Sequence, residues 1–460
     1  MIEGFSRSLD ETYNRIKTNF ATKPRDFIWR KSQLEGLKKL LVENDEALNA
    51  AMWKDLHKPP FECSATEQGI VISEIDFMLS HLESLMKPTH VSTPLYNQIG
   101  SSMIVHEPFG ITLVIGAWNY PINLLLAPVV GAIAGGNAVI VKPSEISAHT
   151  GHLIAELIPK YLDTDLIGVV EGGPEETGLL LDKKFDLIFF TGSGTVGKIV
   201  MAKAVPNLTP VILELGGKSP AMILADADIH VTAKRLTWGK CMNAGQTCVA
   251  PDYVLIHSSV KEKFITEMRK TIGEFYGESI VKNDDYCRII NQKNFDRLVG
   301  LISGSNILLG GATDNETLFI EPTLLESTGD SKVMQEEIFG PLLPVIVMDD
   351  LDSMIEFVNA RAKPLALYLF TEDDEKAEKV IRMTSSGGVS VNDVIMHMAS
   401  PTLPFGGVGA SGMGNYHGDF SFRTFTHAKA VIKKSTAVDV PLRYAPYTET
   451  KLKWMKRFFK

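Results

Sequence analysis

The chain of 460 residues is too long for one ordinary hydrophobic core, so we expect two or three domains. Hydrophobic residues make up 45% and charged residues 22% of it, as in folded soluble proteins. A net charge of −9 argues against a nucleic-acid binder, and four cysteines are too few for a disulfide scaffold. We therefore expect free thiols in a reducing, cytoplasmic compartment.

The first eighty or so residues carry amphipathic patterns, such as RKSQLEGLKKLLVENDEALNAAMWKDL, that predict helices. Residues 109–141 contain no Asp, Glu, Lys or Arg, which is a feature of membrane spans. Prolines, glycines and asparagines interrupt this segment, however, and would leave polar groups facing lipid. We predict instead a buried strand, a short helix and a second buried strand.

From Ile111 onward, short apolar runs such as ITLVIGAW, NAVIVKPSE and FDLIFFTGS alternate with helical stretches. This alternation predicts βαβ units and a parallel sheet. A second alternating region runs from VILELGGKSP to GGVSVNDV. The sequence therefore predicts an α/β protein with two doubly wound, Rossmann-like domains, whose boundaries lie near residues 210 and 400.

A glycine motif follows the predicted strand FDLIFFT, with Gly192, Gly194 and Gly197 in a G-x-G-x-x-G pattern. This pattern is typical of a turn that places a pyrophosphate over a helix N-terminus. Glu214, about twenty positions on, would then contact the ribose. Glu214 also ends an apolar strand beside a Gly-Gly turn, where it is better placed as a base in a cleft or as a solvated strand-end carboxylate.

The stretch CMNAGQTCVAPDY places Cys241 and Cys248 seven positions apart. The residues alone allow a metal site, a disulfide, a piece of core or a nucleophile. No second Cys or His pair at finger-like spacing accompanies them, so we expect no bound metal. If the chain is helical near Cys241, that cysteine is expected to belong to the core.

The last ten residues, KLKWMKRFFK, include five basic and no acidic residues. Leu452, Met455, Phe458 and Phe459 recur there at helical spacing. This pattern fits a basic amphipathic helix on an anionic membrane surface. The alternative is a tail that packs on the protein or stays solvated.

Seven segments in order resemble the aldehyde dehydrogenase superfamily, specifically its class 3 and fatty aldehyde dehydrogenase branch. They are PFGITLVIGAWNYP, GNAVIVKPSE, FFTGSGTVGK, LELGGKSP, GQTCVAPDY, EEIFGP and PFGGVGASGMGNYHG. The resemblance implies an NAD(P)-binding domain of residues 1–82 and 103–210 and a catalytic domain of residues 211–400. It also implies a small β bridging or oligomerisation element of residues 83–102 and 425–442, followed by the basic tail 443–460.

The same resemblance implies three catalytic residues. Cys248 matches the nucleophile, whereas Cys241 does not, and Glu214 matches the general base rather than a ribose ligand. The side-chain amide of Asn119 and the backbone N–H of Cys248 are expected to bind the oxyanion that forms on the substrate. Alone, Asn119 would be interpreted as a turn residue before Tyr120-Pro121.

The cofactor contacts implied by the resemblance are Lys142, Glu145, Gly192, Gly197, Glu337, Phe339 and Trp118. Gly194 is incidental to the family's cofactor loop. A carboxylate at Glu145 would accept a hydrogen bond from a ribose hydroxyl and repel a 2′-phosphate, which favours NAD. Lys142 could instead pair with that phosphate, so NADP is not excluded.

The expected reaction is oxidation of medium- or long-chain aliphatic or aromatic aldehydes to carboxylic acids. Cys248 would form a thiohemiacetal and then a thioester, which water activated by Glu214 would hydrolyse. The alternatives are a CoA-acylating dehydrogenase and a non-catalytic protein on the same fold. By analogy with class 3 relatives we expect a homodimer, with peripheral membrane contact through residues 451–460 as a further expectation.

The segment that follows GNYHG departs from the family pattern. Relatives often carry Lys directly after YHG and an acidic residue before TF, whereas this chain has Asp419 and Arg423. The exchange changes no catalytic residue. It bears on contacts between subunits or at the mouth of the substrate site.

Overall fold

The computed structural model describes residues 2–458, and the helical N-terminal region predicted from the sequence is present. The helices are α1 (Ile2–Thr22), α2 (Phe27–Glu43), α3 (Asp45–Leu56), α4 (Pro60–Cys63), α5 (Gly69–Met86), α6 (Asn123–Gly135), α7 (Ala148–Tyr161), α8 (Pro174–Leu181), α9 (Gly194–Ala204), α10 (Ile229–Cys241), α11 (Ser258–Tyr276), α12 (Gln292–Ile302), α13 (Leu351–Asn359), α14 (Asp374–Met383), α15 (Asp419–Thr424) and α16 (Glu449–Phe458).

The strands form two large sheets and two small ones. They are β1 (Thr89–Val91), β2 (Gly100–Pro108), β3 (Ile111–Ile115), β4 (Ala138–Lys142), β5 (Ile167–Val169), β6 (Leu187–Thr191), β7 (Val211–Glu214), β8 (Pro220–Ile223), β9 (Tyr253–Ile256), β10 (Asn306–Leu309), β11 (Thr313–Asp314), β12 (Phe319–Ile320), β13 (Thr323–Glu326), β14 (Leu342–Val347), β15 (Ala366–Phe370), β16 (Gly388–Val391), β17 (Gly412–Met413) and β18 (Thr426–Lys434).

The first large sheet has the strand order β17-β7-β6-β3-β4-β5. Neighbouring strands in this sheet run parallel, except that the short β17 runs antiparallel to β7. The chain moves outward from β3 through β4 to β5 and then returns to β6 and β7 on the other side. The strand order therefore reverses between β3 and β6, where the carboxyl ends of parallel strands leave a crevice for ligands.

The uncharged segment 109–141 forms β3, α6 and β4, as predicted from its interruptions. Every residue of these three elements is buried. A helix that is apolar all round belongs in the interior of a protein, and α6 packs there beside α2 and α5. It ends at Gly136, whose φ of 82° is the left-handed conformation that glycine adopts without steric cost.

The second large sheet has the order β10-β13-β14-β9-β8-β15-β16 and is parallel except for β10. Helices α10, α11, α13 and α14 alternate with its strands along the chain. The predicted α/β class with two doubly wound domains is confirmed. A separate antiparallel sheet, β1-β2-β18, forms the small β element.

The C-terminal tail forms α16, and Leu452 and Trp454 on it are 55% and 52% exposed. Phe459, which the sequence pattern placed on the apolar side of this helix, and Lys460 lie outside the described residues. No helix among residues 2–458 combines the length and the apolar composition that crossing a membrane requires.

Candidate active site

A cavity of about 530 Å³ opens at the carboxyl ends of β3, β4 and β6, where the strand order of the first sheet reverses. Nine of the ten residues singled out from the sequence line it. They are Trp118, Asn119, Lys142, Glu145, Gly192, Glu214, Cys248, Glu337 and Phe339. The tenth, Gly197, lies in α9, where a Cβ would come within 2.9 Å of Leu215 Cδ2. Gly197 thus permits close packing of α9 rather than contributing surface to the cavity.

Glu214 ends β7 and is held between two strands, paired with Thr191 of β6 and Gly412 of β17. Its side chain is buried, and neither carboxyl oxygen has a hydrogen-bond partner among the described residues. Burial raises the pKa of Glu214 well above its usual value. The raised pKa makes the carboxylate form of Glu214 a stronger base than an ordinary glutamate.

Cys248 lies in the loop between α10 and β9, and its thiol is free. Burial raises the pKa of this thiol, and the negative charges of Glu337 and Glu214 raise it further. The backbone N–H groups of Cys248 and Val249 act in the opposite direction. At rest the group is therefore a thiol, and it needs a proton acceptor before it can act as a nucleophile.

The other cysteine of the same stretch has a different environment. Cys241 is the last residue of α10 and is packed in the core around Leu298 and Phe319. It is free, and burial raises the pKa of its thiol to about 12. The helical placement that would make Cys241 a core residue is thus confirmed, and the disulfide alternative is not observed.

Asn119 follows β3 and is joined to the loop that carries Cys248. Its Nδ2 donates to the backbone carbonyl of Gln246 across 3.0 Å, and its own carbonyl accepts from Asn243 Nδ2 at 2.8 Å. Asn243 has a φ of 50°, a left-handed conformation in which asparagine is more common than most residues. Next to them, the hydroxyls of Tyr120 and Thr247 are 2.7 Å apart. These contacts place the Asn119 amide beside the cysteine loop.

The part of the cavity that is lined by Gly192, Lys142 and Glu145 has the features of a dinucleotide site. Helix α9 begins there, with Ser193 Oγ accepting from Val196 N–H as its N-cap. A Cβ at Gly192 would come within 2.6 Å of the Phe190 ring, so the turn before the helix is closely packed. Lys142 Nζ lies 2.9 Å from Glu145 Oε2, with Lys142 buried and Glu145 partly exposed.

Another part of the cavity lining combines two aromatic rings with a second buried carboxyl group. The rings of Trp118 and Phe339 meet edge to face, with centroids 5.3 Å apart. Burial raises the pKa of Glu337 to about 8, with a contribution from Asp252, while the Gly217 N–H lowers it. A Cβ at Gly216 would lie 2.0 Å from Glu337 Oε2, so a larger residue at this position would displace the carboxyl group.

These residues fit a nicotinamide dinucleotide. Such a cofactor needs a long crevice with a helix N-terminus for the pyrophosphate, a polar group for each ribose and an apolar surface for the nicotinamide. The cavity lining includes the start of α9, Glu145 with Lys142, Glu337, and the Trp118–Phe339 pair, which are groups of these kinds. Within residues 2–458, no group of three or more His, Cys, Asp and Glu side chains is arranged to bind a metal ion.

Some residues that surround the site were not identified from the sequence. Lys58 and Glu67 form a fully buried ion pair beside Asn119, and Tyr416 is buried with no partner for its hydroxyl among the described residues. Asn243 lay within the quoted cysteine motif, but its contact with Asn119 depends on packing. The exchanged residues Asp419 and Arg423 face each other with 4.0 Å between their charged atoms, so the opposite charges remain adjacent in α15.

The family model described as "Aldehyde dehydrogenase family" matches residues 16–431. Aldehyde dehydrogenase family 3 member A2 of Rattus norvegicus is 46% identical over 454 residues, which cover 98% of this chain and 94% of the relative. The 4,4'-diaponeurosporen-aldehyde dehydrogenase of Staphylococcus aureus is 46% identical over 456 residues, covering 98% and 99%.

Among solved structures, the substrate-bound state of Staphylococcus aureus AldH has a TM-score of 0.96 at 46% identity, covering 98% of this chain and 99% of that one. An indole-3-acetaldehyde dehydrogenase in complex with NAD+ has a TM-score of 0.85 at 24% identity, covering 94% and 89%, and shares the fold. The chain belongs to the aldehyde dehydrogenase family and is an oxidoreductase that oxidises aldehydes with a nicotinamide dinucleotide cofactor.

Proposed function

We propose that this aldehyde dehydrogenase converts medium- or long-chain aliphatic or aromatic aldehydes to carboxylic acids, with Cys248 as nucleophile and Glu214 as general base. The observation that carries the proposal is the state of Glu214, a buried carboxyl group that lines the same cavity as Cys248 and has no hydrogen-bond partner within residues 2–458. An unpaired buried carboxyl group opposes folding, so its presence in a cavity favours a chemical role.

The first step is addition of the Cys248 sulfur to the aldehyde carbon. Because its pKa is raised, the thiol must first lose its proton, which passes through the open cavity to solvent. The sulfur then forms a bond to the carbonyl carbon, and the C=O electron pair moves to oxygen. The amide of Asn119 and the backbone N–H of Cys248 donate to this oxyanion, and such donors contribute about 3 kcal/mol each in comparable sites.

A bound nicotinamide cofactor would supply a hydride acceptor, and loss of the hydride would turn the Cys248 thiohemiacetal into a thioester. Gly192 and Gly197 allow the turn and the close packing of α9 at the pyrophosphate end of the cavity. Lys142 and Glu145 would bind the adenosine ribose, and Glu337 would bind the nicotinamide ribose. Trp118 and Phe339 would pack near the nicotinamide ring.

The last step is hydrolysis of the Cys248 thioester. Glu214 takes a proton from a water molecule, the water oxygen adds to the acyl carbon, and the thiolate leaves as the acid is released. This step separates the proposal from a CoA-acylating enzyme, in which the thiol of CoA attacks the thioester instead. A resident base of raised pKa supports attack by water.

The substrate class rests on the relatives. One is a family 3 member, and another is named for 4,4'-diaponeurosporen-aldehyde. For the cofactor we propose a preference for NAD over NADP. The support is Glu145, whose carboxylate lies at the dinucleotide end of the cavity and would repel a 2′-phosphate.

We propose that the domains follow the boundaries expected from the sequence. Residues 1–82 and 103–210 contain most of the first large sheet and would bind NAD(P), and residues 211–400 contain the second large sheet and Cys248. Residues 83–102 and 425–442 contain β1 and β18 and would bridge subunits in a homodimer. Strand β18 supports this role because most of its residues are exposed and one of its edges pairs with no strand among the described residues.

We further propose a cytoplasmic location, supported by four free cysteines, and a peripheral membrane contact through the C-terminal tail. The exposed apolar side chains of Leu452 and Trp454 alternate on α16 with exposed basic ones. A helix of this composition binds anionic lipid surfaces through both its apolar area and its charge.

The test is production of NADH, followed at 340 nm, over a series of aldehydes of increasing chain length with NAD and with NADP. We expect kcat/KM to increase with chain length and to be higher with NAD. Parallel reactions with free CoA should show no acceleration. Turnover that requires CoA would contradict the hydrolytic mechanism, and activity confined to short aldehydes would contradict the substrate class.

A further inference from the structure

We propose that the buried ion pair of Lys58 and Glu67 is a positioning device for the Asn119 amide. The proposal rests on the proposed function of Asn119 as an oxyanion donor and adds two residues outside the cavity lining. Neither residue would touch substrate or cofactor. Both act through the backbone on either side of the turn that carries Asn119.

Lys58 contacts the turn from one side. Its Nζ lies 2.6 Å from Glu67 Oε1, and both side chains have zero exposed surface. The same Nζ donates to the backbone carbonyl of Asn119 across 3.0 Å, although the two residues are 61 positions apart. It also lies 4.0 Å from the centroid of the Tyr120 ring, the residue after Asn119.

Glu67 contacts the other side of the same turn. Its Oε2 accepts from the backbone N–H of Ile122 at 3.1 Å and of Asn123 at 2.9 Å. These N–H groups belong to the start of α6 and have no partner within the helix, so the carboxylate satisfies them as a capping group would. The ion pair therefore fixes the chain both at Asn119 and three to four residues after it.

The local structure around Glu67 is specialised. Residues 64–68 form a turn of π-helix between α4 and α5, a feature that is frequent at functional sites. The Gly69 N–H closes this turn by donating to the carbonyl of Ser64, and a Cβ at Gly69 would lie only 2.3 Å from that oxygen. Glycine at position 69 thus permits the wide turn that precedes α5 and contains Glu67.

The same segment also contacts the cysteine loop. The Glu62 carboxylate accepts from the Asn243 N–H at 3.2 and 3.1 Å. Asn243 Nδ2 in turn donates to the carbonyls of Asn119 and Gln246. Residues 58–67 therefore contact both loops that would supply the oxyanion donors, which sets the position of one relative to the other.

Stability alone does not account for this arrangement. A buried ion pair loses the solvation of both charges. Replacing both members of such a pair with apolar groups of similar volume is often neutral or stabilising. This pair directs three of its hydrogen bonds to the backbone around a single turn. The geometry that these bonds impose on the turn explains the pair better than stability does. Displacing a catalytic group by about 1 Å can cost about 100-fold in rate.

The test is the double variant K58M/E67Q, which removes both charges of the pair together and retains a side-chain oxygen for the Ile122 and Asn123 N–H groups. We expect kcat to decrease about 10- to 100-fold while the KM for NAD changes less than about twofold. The matched control is Arg30→Met. Arg30 is another buried cation, but it donates to the Ala134 carbonyl at 2.8 Å, near the opposite end of α6. This control should keep kcat within about twofold, since displacement at the far end does not move Asn119.

A mutant cycle with Asn119→Ala separates positioning from general structure. In the N119A background the K58M/E67Q change should lower kcat by less than about threefold, because an effect exerted through Asn119 is already lost. The inference would be overturned if the decreases in kcat caused by N119A and by K58M/E67Q multiply in the combined variant. It would also be overturned if K58M/E67Q keeps the wild-type kcat. Wild-type kcat in N119A alone would instead contradict the oxyanion assignment of the proposed function. If K58M/E67Q does not fold, Glu67→Gln alone is measured by the same criteria.

Discussion

Asn119 and Gln246 lie 127 positions apart and are joined by a hydrogen bond of 3.0 Å from the Asn119 side-chain amide to the Gln246 carbonyl. This bond connects the end of β3 with the loop that precedes Cys248. A primary amide carries two N–H donors, so one of them remains for another acceptor. The bond thus orients the amide next to the cysteine while leaving a donor for an oxyanion.

Replacing Cys248 with Ser should abolish aldehyde oxidation while leaving cofactor binding intact. The hydroxyl of serine is a much weaker nucleophile than a thiol, and burial beside Glu337 and Glu214 would oppose its ionisation as it opposes that of Cys248. We expect kcat to decrease by at least about 1000-fold and the dissociation constant for NAD, measured by fluorescence titration, to change less than about twofold. Cys241→Ser is the matched control and should retain activity, since Cys241 lies in the core. Turnover retained in C248S would exclude Cys248 from the mechanism.

Replacing Glu214 with Gln should slow hydrolysis of the thioester more than hydride transfer. Glutamine has nearly the same shape but cannot accept the proton of water, so acyl-enzyme accumulates. In rapid-mixing experiments we expect a burst of NADH close to one equivalent per active site, followed by a steady rate about 100-fold or more below that of the wild type. Equal losses in the burst and in the steady rate would count against the role of Glu214 as the base for water.

The steady-state rate should increase with pH. Burial raises the pKa of Glu214 well above its usual value, so the carboxylate that accepts a proton exists only above that raised pKa. The rate is therefore lowest in acid and increases through the raised pKa of the group. In E214Q, the steady-state rate should lose the part of its pH dependence that comes from deacylation. The rate of the burst should still increase with pH, because the pKa of Cys248 is also raised. A wild-type rate that decreases between pH 6 and 9 would contradict this assignment.

Local sequence patterns predicted the architecture well because they depend on burial. The segment 109–141 is uncharged because β3, α6 and β4 are buried on every side, and its prolines and glycines distinguish it from a membrane span. The ordered family motifs were equally informative for the site, where nine residues they pointed to share one cavity.

Other features depend on tertiary packing and left no local pattern. The G-x-G-x-x-G spacing alone suggested Glu214 as a ribose ligand, but Glu214 ends β7 next to Gly412, a residue almost two hundred positions later. The Lys58–Glu67 pair and the π turn before Gly69 were also not predicted. A lysine and a glutamate nine positions apart usually lie on a solvated surface, and only their contact with Asn119 distinguishes this pair.

Replacing Glu145 with Gln should shift the cofactor preference towards NADP. The carboxylate of Glu145 would repel a 2′-phosphate, and its removal also frees Lys142, now 2.9 Å away, to pair with that phosphate. We expect the ratio of kcat/KM for NADP over NAD to increase about tenfold or more, measured at one fixed aldehyde concentration. Glu171→Gln, which removes a partly exposed carboxylate outside the cavity lining, is the control for net charge. An unchanged ratio would show that Glu145 does not select the cofactor.

Deleting residues 451–460 should weaken binding to anionic vesicles without lowering activity on water-soluble aldehydes. The deletion removes the exposed Leu452 and Trp454 together with the basic residues of α16, while the cavity of Cys248 and Glu214 contains none of them. Vesicle co-sedimentation should decrease at least about tenfold and should weaken with added salt for the full chain. The matched variant K453Q/K456Q, which keeps the apolar residues, should give an intermediate loss. Vesicle binding that survives the deletion would refute membrane contact through the tail, because another part of the chain would then have to supply it.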